Sequence, residues 1–149
     1  LLNSLGVALH RAAKPDEAEA LYRESFEMGE RLLGPEAGDT LIARMNLGSI
    51  QKERKNPEAR ATLESTYEAL KRVFGESHLK TAEAAGILGD LHYDAGRIQD
   101  AIRYFEESLA IRRRAETGPA ASGTEAAQRL ADALRKTGDA PRASQLDRE

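Results

Sequence analysis

The sequence predicts an all-α protein assembled from repeated helix pairs, and three observations carry that expectation. A Leu-Gly pair returns at steps of 41 or 42 residues: Leu5-Gly6, Leu47-Gly48, Leu88-Gly89 and, with a small substitution, Leu130-Ala131. Twelve or thirteen residues after each leucine stands an alanine (Ala18, Ala59, Ala101, Ala143), and four further on a large side chain (Tyr22, Leu63, Phe105), with Asp147 in the last copy. Apolar residues recur at spacings of three and four, as in Leu2, Leu5, Leu9 and Leu88, Leu91, Ala95, while no stretch alternates as a strand would. Self-similarity at one period between 20 and 50 residues marks a stacked repeat.

The helices follow in order from this pattern. Their predicted bounds are 1–13 and 15–33, 39–55 and 57–74, 80–95 and 98–115, then 123–137 and 140 onward. Within each pair the turns read "AAKPDEA", "RKNPEA", "DAGRIQDA" and "KTGDAPRA". Proline opens a helix, glycine closes one, and Asn56 and Asp139 are placed to cap the next. The links between pairs, "GPEAGDT" at 34–40 and "GESHLKT" at 75–81, are expected to end one long helix and cap the following one, with Thr40 and Thr81 near the new N-terminus. The third link, "ETGPAASGTE", is looser. The resulting repeats span about 1–38, 39–79, 80–121 and 122–149, the last incomplete. Glycine inside a helix costs up to about 1 kcal/mol relative to alanine, so its recurrence calls for close packing. We expect Gly6 against Ala18, Gly48 against Ala59, Gly89 against Ala101 and Ala131 against Ala143, with leucine at Gly48 or Ala101 overpacking the pair.

Composition narrows the function. At 149 residues and 40% apolar content the chain suits one domain or one repeat array. Its 22 basic and 25 acidic residues leave a net charge of −3, which gives no field favouring nucleic acid or an anionic membrane. Cysteine is absent, in keeping with a reducing, cytoplasmic setting, and no apolar run is long enough to cross a bilayer. The opening "LLNSLGVAL" lacks the basic leader of a secretory signal and reads as a helix. Because the chain starts without methionine inside a periodic pattern, it is expected to be a fragment of a longer protein.

Leu-Gly, a small residue, an aromatic or large residue and a second small residue (Ser25, Thr66, Ser108) on paired helices resemble the tetratricopeptide repeat. The period of about 42, with the additional residues in "EMGERLLGPEAGDT" and "EALKRVFGESHLKT", is similar to the long repeats of the kinesin light chain type, whose links carry Gly-Pro-(Asp/Glu)-His-Pro and a threonine. Here Gly34, Pro35, Glu36 and Thr40 are kept once, then Gly75, Glu76, His78 and Thr81. A HEAT array shares the period but not the Leu-Gly and alanine spacing. The resemblance implies a right-handed α-solenoid of antiparallel helix pairs, about three and a half repeats long. It also implies a concave groove lined by the first helix of each pair that receives a peptide or helical segment of a partner protein, and frequent linkage to signalling or regulatory domains.

No pattern of catalysis accompanies the repeat. His10, His78 and His92 lack partners at metal-ligand spacing, so neither a metal nor another cofactor is expected. His92 shares the register of Leu9, Gln51 and Leu134 and is expected to be a packed, hydrogen-bonded histidine. Arg112, Arg113 and Arg114 read as a solvated helix end, where cations complement the macrodipole. The carboxylates read as solvated faces rather than an acid–base pair, and the protein is not expected to be an enzyme.

In the groove register stand Asn3 and His10 from the first repeat and Met45, Asn46, Ser49, Lys52 and Glu53 from the second. The third adds Glu83, Asp90, Tyr93 and Asp94, and the fourth Gln128, Arg129, Asp132, Arg135 and Lys136. Asn46 is singled out because an amide can meet both donor and acceptor of a peptide backbone. The face reads as acidic through Asp90 and Asp94 and basic through Arg129, Arg135 and Lys136. The clamp that binds a chaperone's terminal carboxylate is not expected, since its positions hold Asn3, Val7, Asn46, Glu83 and Ile87. Two further roles stay open: self-association through the ends of the array, and an intramolecular regulatory region of a larger signalling protein.

Overall fold

The computed structural model describes residues 2–115 and 122–148, so residues 116–121 of the third link lie outside the described residues. Eight helices are present among them: α1 (Leu2–Arg11), α2 (Pro15–Leu32), α3 (Gly38–Glu53), α4 (Ala59–Phe74), α5 (Leu79–Asp94), α6 (Ile98–Ala115), α7 (Ser122–Lys136) and α8 (Ala140–Leu146). Each described terminus falls within two residues of its predicted position apart from the end of α8. The chain divides into two compact units, Leu1–Val73 and Phe74–Glu149. Neighbouring helices pack in chain order inside each, α1 on α2 and α2 on α3 in the first, α5 on α6, α6 on α7 and α7 on α8 in the second.

One turn geometry closes every pair. The second residue after the first helix adopts a left-handed backbone, at Ala13 (φ 57°), Lys55 (φ 55°), Gly96 (φ 74°) and Gly138 (φ 83°). The following amide donates back to a helical carbonyl, Lys14 to Leu9, Asn56 to Gln51, Arg97 to His92 and Asp139 to Leu134, at 2.9–3.0 Å. This is the closing bond of a Schellman motif, which satisfies carbonyls the helix end would leave open. Asp139 caps α8 as expected, its Oδ1 accepting from the Arg142 amide at 3.3 Å, whereas Asn56 stands three residues before the start of α4 and its Oδ1 accepts from the Glu58 amide at 2.9 Å within the turn.

The small residues act differently from the expectation. A methyl group built on Gly6 would lie 2.7 Å from the Tyr22 ring, and one on Gly48 2.7 Å from Leu63; on Gly89 it would collide with Phe105. The atoms nearest each glycine thus belong to the large residue one turn beyond the alanine. The glycine is a socket, and the aromatic or leucine is the knob that fills it. Ala18, Ala59 and Ala101 are buried beside these contacts. In the last pair both partners change together: Asp147 replaces the knob, and the socket carries the methyl of Ala131.

The threonines also differ from the cap role. The N-cap positions belong to Ala37, which makes no side-chain cap, and to His78, whose Nδ1 accepts from the Lys80 amide. Thr40 and Thr81 lie one turn inside their helices and are fully buried. Thr81 Oγ1 donates to the Gly75 carbonyl at 2.9 Å, tying the new helix back to the end of the old one. Thr40 sits against Gly29 so closely that a methyl group there would meet its hydroxyl at 2.6 Å.

Each unit holds its own core. In the first, Ala18, Tyr22, Leu47 and Ile50 cluster with half-buried Val7, Leu9 and Phe26. In the second, Ala101, Phe105, Leu109, Leu130, Leu134 and Ala143 belong to one cluster that also takes in Tyr93, Ile98 and Leu146. Helix α8 is seven residues long, against 16 or 18 in α2, α4 and α6.

Candidate functional site

The polar residues of the first helices form stripes along α1, α3, α5 and α7. On α3, Asn46, Ser49 and Glu53 recur at spacings of three and four and stay at least partly exposed, with Lys52 beside them. Elsewhere on that helix Thr40, Leu41, Ala43, Met45, Leu47, Gly48, Ile50 and Gln51 are buried. Met45 therefore leaves the predicted set. Its register lies one residue off the exposed stripe, on a helix whose apolar side chains run round most of its circumference and are covered accordingly.

In the first unit, side chains bridge α1 and α3 at both ends of the stripe. Asn46 Nδ2 donates to Asn3 Oδ1 at 2.9 Å. His10 Nε2 lies 2.8 Å from Glu53 Oε2, and the His10 ring meets the Tyr22 ring edge-on at 6.5 Å. Burial first, and the nearby Glu53 carboxylate second, push the Tyr22 phenol above its ordinary pKa, with Arg11 acting in the opposite sense. The Asn46 amide thus arrives with one donor engaged and its carbonyl available.

In the second unit, Glu83, Asp90, Tyr93 and Asp94 line α5, and Gln128, Arg129, Asp132 and Arg135 line α7; all are half-buried or exposed. Arg129 bonds Asp90 across the two helices and Glu125 one turn back. Lys136 Nζ stands 3.9 Å from the centre of the Tyr93 ring, a cation–π contact. Arg135 pairs with Asp132 and Asp147, and Glu83 pairs with Lys80 at 2.7 Å. The expected split into an acidic stretch on α5 and a basic one on α7 is corrected here. Asp90 and Arg129 are opposite charges close enough to neutralise one another, and so are Arg135 and its two carboxylates.

His92 is buried at 5% exposure. Arg97 Nε donates to its Nδ1 at 3.0 Å and the Tyr104 ring packs 5.3 Å away, which is the packed and hydrogen-bonded state expected for it. Gln51 and Leu134, in the same register, are also buried. Among the described residues no group of three His, Cys, Asp or Glu side chains is placed to hold a metal ion, and no helix is long and apolar enough to cross a membrane. Sequence reasoning missed the pairing pattern itself, because partners such as Asn3 and Asn46 are 43 residues apart and only the repeat register brings them together.

Four helix pairs, three of them with a glycine socket, and a uniform closing turn define a helix-pair repeat protein. The model of the tetratricopeptide repeat family matches residues 1–71 and 49–114. The chain belongs to the tetratricopeptide repeat family, and its fold is that of the all-α solenoids built from antiparallel helix pairs. It is similar in structure to BtubC (BKLC) from P. vanneervenii, with a TM-score of 0.88 and 22% identity over 99% of this chain. A Podosopora anserina protein assigned as a kinesin light chain, with nearly identical TPR-like repeats, gives 0.86 at 18% identity over 97% of this chain. A point-substituted form of that protein gives 0.85 at the same identity and coverage. The chain spans 59% of the length of BtubC and 69% of the Podosopora anserina protein. No curated protein matches it.

Proposed function

We propose that the protein is a non-catalytic scaffold that binds a peptide or helical segment of a partner protein on the polar stripes of its first helices. Tetratricopeptide repeats are in general protein-interaction scaffolds, and the finer reading rests on one observation. The twelve residues Asn46, Ser49, Lys52, Glu53, Glu83, Asp90, Tyr93, Asp94, Gln128, Arg129, Asp132 and Arg135 all keep solvent access while the helices carrying them bury most of their apolar side chains. A helix that is covered on its other sides yet keeps a polar stripe open has that stripe available for recognition. The Leu-Gly period runs unbroken past Val73 and Phe74, which supports treating both units as one repeat array. The lack of cysteine fits a cytoplasmic setting.

Recognition on this face is chemically specific. Asn46 offers its carbonyl to a partner N–H, and Tyr93 with Lys136 offers an aromatic surface already polarised by a cation. The test is capture from lysate or proximity labelling with wild type, Asn46→Ala and Asp90→Lys, each shown to fold by circular dichroism. Loss of the same captured proteins in both variants supports the proposal. Retention of all of them in both removes this face from recognition.

A further inference from the structure

The two first helices of the second unit, α5 and α7, carry four basic side chains against five acidic ones. Most of them are answered inside the unit. Lys80 holds Glu83 at 2.7 Å. Arg129 bonds Asp90 on the neighbouring helix and Glu125 at 3.3 Å on its own. Arg135 holds Asp132 at 2.7 Å. Asp94 and Lys136 stand outside these ion pairs, and they are opposite in sign, so they add no net charge to the face.

Two opposite charges in contact present a dipole to an approaching partner. Its field fades faster than that of a lone ion, and what remains is screened over about 8 Å at physiological ionic strength. Contact offers a charged partner little more. A carboxylate arriving at Arg129 has to displace Asp90 or Glu125, and a cation arriving at Asp90 has to displace Arg129. Either exchange makes one ion pair by breaking another and leaves a charge of the stripe unanswered.

The hydrogen-bonding capacity that stays open is neutral. Tyr93 lies one turn beyond Asp90 on α5, and its ring is fixed against the core cluster of the unit with the Lys136 ammonium 3.9 Å from its centre. Gln128 stands exposed next to Arg129 on α7. Among the described residues neither the Tyr93 phenol nor the Gln128 amide has a side-chain hydrogen bond. The phenol can donate or accept, and the amide can do both at once. These two groups flank the Asp90–Arg129 pair along their helices, so an arriving segment meets neutral donors and acceptors on either side of a charge already spent.

We propose that the segment received by the second unit is uncharged where it meets this stripe. It presents amide or hydroxyl side chains and main-chain peptide groups to Tyr93 and Gln128, and the ion pairs shape the surface without selecting a sign of charge. This reading rests on the stripe being a recognition face, and the experiment separates the two.

The probe is a displayed library of short random peptides, selected on the full chain, with binding of the enriched peptides then measured for wild type, Gln128→Glu and Gln128→Lys. Circular dichroism shows that both variants are folded. The enriched peptides are uncharged over the contacting stretch, and their affinity changes by less than about threefold between about 50 and 500 mM sodium chloride. Both variants weaken binding, by about tenfold, because a charge of either sign replaces a neutral amide. A charged segment behaves otherwise: one variant weakens it and the other strengthens it. Enrichment of peptides of one charge sign, a larger loss with salt, or opposite effects of the two variants overturns this inference and leaves the face as a recognition surface. Peptides that bind both variants as tightly as wild type, or no enrichment at all, overturn the face itself and the inference with it.

Discussion

At the scale of single residues, the glycines sort by what faces them rather than by where they sit in a helix. Gly89 is the socket for Phe105, so Gly89→Ala should lower stability by about 1–3 kcal/mol in chemical denaturation. Gly86 lies one turn earlier on α5, and a methyl group there would rest 3.5 Å from Ser108 Oγ, an ordinary contact. Gly86→Ala should therefore gain about 0.5–1 kcal/mol from helix propensity. Opposite signs three residues apart check the socket reading directly; equal effects would refute it. Tyr22 adds a pH prediction. Because burial raises its folded pKa, its contribution is complete below the unfolded phenol value of about 10 and is lost as pH rises through the folded value. Base titration of stability should show that loss, and Tyr22→Phe should flatten it. The socket was only half legible in the sequence. The spacing of Gly48, Ala59 and Leu63 showed that a close contact existed, but whether alanine or leucine meets the glycine depends on how far the helices are offset.

Among the elements, the turn that closes each helix pair is the most repeated and the least uniform in sequence. Gly96 and Gly138 take the left-handed position without strain, whereas Ala13 and Lys55 hold it against their own side chains. Lys55→Gly should stabilise the first unit by about 1 kcal/mol, measured as a rise in denaturation midpoint, and Ala13→Gly should act alike. A fall in midpoint would show that the lysine makes a compensating contact. These turns were readable in advance as turns, from proline, asparagine and glycine between apolar runs. Their common hydrogen bond was not, because alanine and lysine give no hint of a left-handed backbone. The threonines of the links show the reverse error. Thr40 and Thr81 carry a helix-capping side chain near a helix start, yet the chain enters α3 and α5 about two residues earlier and buries them.

For the whole molecule, charge and surface decide what it meets. With a net charge of −3 and its cations paired along α7, the protein should give no mobility shift with duplex DNA at physiological salt. A salt-sensitive shift would mean that a basic surface had been overlooked. The residues proposed for binding could be named as a set because a period of about 42 residues carries their register from repeat to repeat. Their electrostatics were not, since Asp90 and Arg129 read as separate charges until α5 and α7 are placed side by side.

Local pattern was enough to determine the helices, their pairing and the family, because helix period, turn residues and small-residue spacing are short-range properties repeated along the chain. Which side chain fills each glycine, which threonine is buried and which charges cancel were decided only by tertiary packing. Those outcomes depend on distances between residues far apart in the chain, set by the offset and spacing of neighbouring helices, and no local signal encodes them.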